Sequence, residues 1–189
     1  MFRKYQLLIV DDEEITLEML AEFLGEYFDV TACTNGFDAL VETQEKTFDG
    51  IVLDINMPKM NGLELCEKIK ENPQYEYVPI VFLTGSSDVR VIEEGFSVGA
   101  IDYILKPVVL EELYIRTKNH IQLAKQSEKL YVKQLQINKQ LEESIEKLAQ
   151  CKQKTTIDIE DFDKTVATIQ DYLKEQKNLL ATTKKLSKL

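Results

Sequence analysis

The chain has three cysteines, Cys33, Cys66 and Cys151, and no two of them form a CxxC pair or stand at metal-ligand spacing. That excludes a disulfide framework and a thiolate metal site, and fits reduced, partly buried thiols of a cytoplasmic protein. No window approaches the ~20 apolar residues that a spanning helix needs, so no membrane segment is expected. The start, Met1-Phe2-Arg3-Lys4-Tyr5, is not followed by a long apolar run, which speaks against a signal peptide. There is no GxGxxG and no Walker loop, so a nucleotide- or flavin-binding sheet is not supported. From Leu110 onward glycine and proline are missing altogether, and nothing after residue 120 reads as a helix-turn-helix, cyclase or kinase motif. Charge is one-sided where it matters. Residues 1–120 hold 23 acids against 10 bases, while residues 121–189 hold 10 acids against 13 lysines spread among them. An acidic first part disfavours nucleic acid as a partner, and the tail reads as a solvated helix face.

What is present is a repeating alternation. Gln6–Val10 is an apolar run that ends in Asp11-Asp12-Glu13-Glu14, and Ile15, Met19, Phe23 and Leu24 follow at helical spacing. Phe28–Cys33 reads as a strand, Asn35-Gly36 as a turn, and Phe37–Lys46 as a helix. Ile51-Val52-Leu53 is a short buried strand stopping at Asp54. Asn61 caps a helix carrying Leu63, Cys66 and Ile69, which Asn72-Pro73 ends. Val78–Leu83 is a fourth strand, stopping at Thr84-Gly85-Ser86-Ser87. Asp88 starts a helix that Gly99 closes. Ile101–Leu105 is a fifth strand, followed by Lys106-Pro107. Five strands alternating with helices over short connections predict an α/β, doubly wound parallel sheet with right-handed crossovers.

In such a sheet ligands bind at the carboxyl edge of the strands. The first strand delivers Asp11 and Asp12 there, the third Asp54, the fourth Thr84 and the fifth Lys106. Taken singly, each has a plainer reading: Asp54 as a loop cap, Asp11 and Asp12 as acids suited to a helix N-terminus. Together, three crowded carboxylates repel one another and need positive charge. Lys106 supplies part, and an oxygen-only pocket suits Mg²⁺ for the rest. A carboxylate oxygen of Asp54 is then placed to attack a phosphoryl group.

These residues carry a resemblance. Leu7–Asp12, Asp54-Ile55-Asn56-Met57-Pro58-Lys59-Met60-Asn61-Gly62, Thr84 and Gly99–Pro107 are similar to the receiver domains of bacterial two-component response regulators, over about residues 5–120. The resemblance implies a flavodoxin-like sheet of order 2-1-3-4-5. It implies phosphorylation of Asp54 by a partner histidine kinase or phosphotransfer protein, and a Mg²⁺ site of Asp12 as direct ligand, Asp11 through water, Asp54, and the backbone carbonyl of Asn56. Thr84 would bond the phosphoryl group and Lys106 would pair with it. Tyr103 would be the switch aromatic, and Lys106-Pro107 a cis peptide. The chain departs from the family in one place: Gly85 follows Thr84, where Ala or Ser is usual. A haloacid-type phosphatase expects a second Asp two residues after the nucleophile. Asn56 stands there, so Asp54 is expected to hold its phosphoryl group as a signal, not to turn over a substrate.

The domains expected are a receiver over residues 1–120 and an all-α extension of two long helices over residues 121–189, with a break at Thr155–Asp158. Leu113, Thr117, Ile121 and Ala124 continue the last receiver helix. Leu130, Gln134, Ile137, Leu141, Ile145 and Leu148 extend its stripe to about Lys154, roughly 65 Å of helix. Ile159, Phe162, Val166, Ile169, Leu173, Gln176, Leu180 and Thr183 form the second stripe, to about Lys188. An apolar stripe that long needs a partner, so a homodimer through a coiled coil or a four-helix bundle is expected. A docking bundle for another protein and a linker to an output domain are the alternatives. His120 lies beside Asn119 and Ile121 and is a poor phosphotransfer histidine. Asp161 and Thr165, one turn apart, match a phosphatase pair only as chance would. The expected function is a response regulator. The alternative is the receiver and linker of a larger signalling enzyme, such as a hybrid histidine kinase, a cyclase or a phosphatase.

Overall fold

The computed structural model describes residues 4–87, 89–152 and 160–186. Five strands, β1 (Gln6–Val10), β2 (Asp29–Cys33), β3 (Gly50–Asp54), β4 (Ile80–Thr84) and β5 (Asp102–Leu105), alternate with helices α1 (Glu14–Gly25), α2 (Gly36–Glu45), α3 (Gly62–Lys70) and α4 (Val89–Ser97). Two further helices, α5 (Leu110–Lys152) and α6 (Glu160–Leu186), follow among the described residues. All four strand pairings are parallel and the order is β2-β1-β3-β4-β5, as expected. Every residue of β3 and of β4 is buried, which is why these strands read as unbroken apolar runs.

The sheet separates two cores. Leu8, Val10, Ile51, Leu53 and Phe82 face α2, α3 and α4, while Leu7, Ile9, Val52, Val81 and Leu83 face α1 and α5. This is the two-residue period of a strand covered on both sides. Cys33 and Cys66 are free, and burial pushes their thiols up to about 11 and about 12, so they are inert packing groups.

Some local expectations need correction. Asn35-Gly36 is not a free turn. Asn35 is the N-cap of α2, its side chain accepting from the N–H groups of Phe37 and Asp38. Strand β4 starts at Ile80 rather than Val78, because Pro79 has no N–H to give a ladder, and it includes Thr84. Asn61 does cap α3, in a full capping box with Glu64, and Gly99 closes α4 with φ of 101°. The expected start of α4 at Asp88 and the break at Thr155–Asp158 lie outside the described residues.

The chain divides into two compact units, Met1–Lys125 and Gln126–Leu189. In the first, α5 is seated on the sheet by Leu113, Thr117 and Ile121, all buried. A Cβ added at Gly50 would lie 2.7 Å from Ile121 Cδ1, so the missing side chain at the start of β3 is what lets α5 approach so closely. Lys125 pairs with Asp49 at 2.8 Å one residue earlier. Tyr114 stacks on Tyr27 of the turn after α1, ring centroids 4.1 Å apart.

In the second unit, Lys177 of α6 pairs with Glu142 of α5. Ile145, Leu173 and Asn138 are buried, with Gln134 and Leu141 half-buried. The covered face of α5 therefore runs through Asn138. Leu130, Ile137 and Leu148, expected on the covered stripe, are 69, 41 and 43% exposed. Around the helix, at the ~100° per residue of an α-helix, Leu130 and Leu148 lie about 80° and Ile137 about 100° from Asn138.

Candidate functional site

Each strand that ends at the carboxyl edge delivers its side chain where the alternation implies. Asp11 follows β1 and is fully buried, Asp12 beside it is exposed, and Asp54 is the last, buried residue of β3. Carboxylate oxygens of Asp11, Asp12 and Asp54 lie within 4.8 Å of one another. Lys106, directly after the last β4–β5 pair Thr84–Leu105, reaches across to them. Its Nζ donates to Asp11 Oδ2 at 2.8 Å and sits 2.8 Å from Asp54 Oδ1. The Lys106-Pro107 peptide is cis.

The plainer readings of these acids hold too, on their other oxygens. Asp11 Oδ1 accepts from the N–H of Glu13, the N-cap of α1, at 3.0 Å. Asp54 Oδ2 accepts from the N–H of Asn56 at 3.1 Å. Each buried carboxylate thus uses one oxygen to shape its own loop and turns the other to Lys106.

Three carboxylates meet one ammonium, so the pocket is short of positive charge. Burial pushes the Asp54 carboxyl above its ordinary range; Lys106 opposes the shift, while Asp11 and Asp12 add to it. Burial works to lower Lys106, but its bonds to Asp11 and Asp54 outweigh this and hold it raised, so it stays charged at neutral pH. The donor set is all oxygen and partly open to water at Asp12, which fits a hard divalent cation that keeps several waters.

Thr84 and Tyr103 are near but differently engaged. Thr84 is fully buried, and its hydroxyl is held by its own loop: the N–H of Ser86 donates to Oγ1 at 3.1 Å, and Oγ1 donates to the Ser86 carbonyl at 3.4 Å. The half-buried Tyr103 ring lies edge-on to Phe96, 6.2 Å between centroids. Ile55, Phe82, Thr84, Phe96 and Tyr103 line one small cavity of about 10 Å³, room for about one water and none for a ring. Asn56 is exposed at the rim, between the buried Ile55 and Met57.

His120 is not free for phosphotransfer. Its Nε2 lies 2.9 Å from Asp102, which also takes Arg116 at 3.1 Å on both oxygens. Burial raises the Asp102 carboxyl, yet its bonds to His120 and Arg116 outweigh that and leave it lowered. Sequence reasoning missed this cluster, which ties the start of β5 to α5. It also missed the hold of the Ser86 backbone on Thr84, for which a threonine at the head of a Gly-Ser turn is the only signal. The side chains of Asp161 and Thr165 lie outside the described residues.

Comparison with known proteins agrees. The family model "Response regulator receiver domain" matches residues 7–118. The "Probable cyclic di-GMP phosphodiesterase" of Vibrio cholerae is 38% identical over 116 residues, covering 61% of this chain and 26% of that protein. The response regulator ArlR of Staphylococcus aureus is 35% identical over 135 residues, covering 71% of this chain and 60% of ArlR. The chain thus spans less than two thirds of the length of either relative. Among solved structures, the Vibrio cholerae chemotaxis protein CheY4 superposes with a TM-score of 0.60 at 31% identity, over 62% of this chain and 98% of that one. This chain belongs to the response regulator receiver domain family.

Proposed function

We propose that this protein is a two-component response regulator in which Asp54 accepts a phosphoryl group from a histidine kinase or phosphotransfer protein. Residues 1–120 act as the receiver and residues 121–189 as its helical effector. The observation that carries the reading is the position of Asp54: a buried carboxylate at the sheet edge, with Lys106 on Oδ1 and two further carboxylates within 4.8 Å.

An Asp54 oxygen attacks phosphorus, the P–N bond to the donor histidine breaks, and the imidazole leaves with that electron pair. Asp11, Asp12, Asp54 and the carbonyl of Asn56 would hold Mg²⁺, which when bound neutralises charge on the phosphoryl oxygens. Lys106, already charged and directed at Asp54, follows its partner to a phosphoryl oxygen. The new group adds negative charge and strong acceptors. The Thr84 hydroxyl then gives up the Ser86 loop and donates to it. That vacates space beside Tyr103, whose ring cannot enter the present cavity, and couples the site to α4, β5 and α5. Asn56 in place of a second Asp leaves no general acid for turnover, so the phosphoryl group serves as a signal. The exposed Leu130, Ile137 and Leu148 support a homodimer through the helices.

A small acyl phosphate with Mg²⁺ should add one phosphoryl group by intact mass, and Asp54→Asn should take none. Undiminished labelling of Asp54→Asn would refute the assignment. Light scattering should give a dimer for the full chain; a monomer refutes that part alone. Hydrogen exchange along Leu113–Leu148 should change on phosphorylation, and Thr84→Ala should lose the change while still accepting phosphate.

A second reading has support in the relatives: the match to the phosphodiesterase covers 26% of that protein. On it, the receiver and helices are the signalling part of a larger enzyme, such as a hybrid histidine kinase, a cyclase or a phosphatase. The length of the natural reading frame separates the two.

A further inference from the structure

Gly62, the first residue of α3, is buried and has an ordinary, not left-handed, backbone conformation. Its lack of a side chain is therefore a matter of space rather than of φ. A Cβ there would lie 2.2 Å from the carbonyl oxygen of Asp54, 2.9 Å from Ile55 Cα and 3.0 Å from the carbonyl carbon of Asp54. All three neighbours are backbone, which no rotamer change can clear. Gly62 N–H also donates to the Ile55 carbonyl at 2.9 Å. The first turn of α3 is thus laid directly on the peptide that follows Asp54.

Much of that region is tied in place. Asp54 is paired with Leu83 of β4, and Ile55 N–H donates to the Leu83 carbonyl at 3.0 Å. Ile55, Met57 and Met60 are buried, and the Asn61–Glu64 capping box holds the helix end. Lys59 is held at φ of 70°, a strained position for a residue with a side chain. Asn56, exposed between the buried Ile55 and Met57, is the backbone nearest that contact with room to give way. That same residue donates its N–H to Asp54 Oδ2 at 3.1 Å.

We propose that Gly62 is a positioning residue of the phosphoacceptor site: by letting α3 rest on the Asp54–Ile55 peptide, it sets the Asn56 backbone, which turns the Asp54 carboxylate toward Lys106. The inference rests on the reading of Asp54 as phosphoacceptor with Asn56 as a backbone ligand to Mg²⁺. It predicts that an atom added at Gly62 weakens metal binding and phosphoryl acceptance together.

The test uses the full chain. Calorimetric Mg²⁺ binding without phosphodonor is measured for wild type, Gly62→Ala and Gly25→Ala, whose added Cβ would meet nothing within 4 Å. Gly62→Ala is expected to weaken Mg²⁺ binding about ten-fold or more, as loss of an orienting partner does. The Mg²⁺ concentration for half-maximal Asp54 labelling should rise in parallel, with Gly25→Ala unchanged. If Gly62→Ala does not fold, Asn61→Ala decides. It loosens the cap without adding an atom, and is expected to weaken binding about three-fold. A folded Gly62→Ala that binds Mg²⁺ and labels like wild type, however much less stable, overturns the proposal and reduces Gly62 to packing. So does an unchanged Asn61→Ala where Gly62→Ala is unfolded. A wild-type protein that takes no phosphoryl group overturns the underlying reading of Asp54 instead, and is told apart at once.

Discussion

Residues up to Lys125 and residues after it carry apolar side chains at similar spacings, yet they bury them very differently. In the first unit, Leu17, Leu20 and Leu24 of α1 and Leu113 and Ile121 of α5 are at most 6% exposed, although Ile15 and Met19, expected on the α1 stripe, are 79 and 43% exposed. In the second, Leu130, Val132, Leu135, Ile137 and Leu148 are all more than 40% exposed, and the buried positions include an asparagine. A helical stripe says that a face exists; only a surface of matching width covers it. The sheet supplies such a surface to α1 and to the root of α5. A single α6 beside α5 covers a narrower strip. The first unit thus has filled cores on both faces of its sheet, and the second leaves apolar positions of α5 exposed.

The sharpest way to break that contrast is to truncate one leucine in each unit. Leu20→Ala should lower stability by about 3 kcal/mol in urea unfolding, because the site lies inside a packed core. Leu130→Ala should stay within about 0.5 kcal/mol at concentrations where the chain is monomeric, and cost more where the dimer forms. A loss at Leu130 comparable to that at Leu20, varying with protein concentration, would mean that a second chain covers the stripe.

Next in size is the seat of α5. Gly50→Ala forces Ile121 aside and should lower stability by about 1–2 kcal/mol. Gly25→Ala meets nothing and should be neutral or slightly stabilising. Equal effects would show that α5 is not seated on β3 through Gly50.

A smaller effect of opposite sign is expected at the site. The folded state holds the Asp54 carboxyl above its ordinary value, so ionised Asp54 lowers stability as pH rises through the carboxylate range. Asp54→Asn removes that penalty. It should stabilise the protein by less than about 1 kcal/mol at pH 7, and the gain should fade as pH falls toward 4. A gain independent of pH would contradict the electrostatic cause.

The smallest effect is at the partly exposed Asp102–Arg116 pair. Arg116→Ala should lower stability by no more than about 0.5 kcal/mol, and less in high salt. The Asp102 carboxyl is lowered in the fold, so its contribution is present above the ordinary Asp value and is lost as pH falls below it. Urea midpoints across salt and pH test both statements.

Much of the site could be read without coordinates, for a definite reason. In a parallel sheet all carboxyl ends lie at one edge, so locating five strands also locates Asp11, Asp12, Asp54, Thr84 and Lys106. The reach of Lys106 to Asp11 and Asp54 follows from charge, since crowded carboxylates need a cation. The hold of Ser86 on Thr84 and the tie of His120 and Arg116 to Asp102 were not legible. The first depends on the path of one loop, and the second joins residues of two elements on charges that could have paired elsewhere.

By its sequence alone, then, this protein had its alternation of strands and helices, its two-faced core and its acidic edge decided, while the strand order came from the family resemblance. The two-residue and 3.6-residue periods of apolar side chains admit few other ways to exclude water. Tertiary structure alone decided which of two overlapping stripes on α5 is covered. Asn138 and Ile137 are neighbours in sequence, but α-helical geometry turns them about 100° apart. The amide is buried and the isoleucine exposed. Tertiary structure also decided that Gly50 and Gly62 are places of contact rather than of flexibility, because only packing reveals what a missing side chain makes room for.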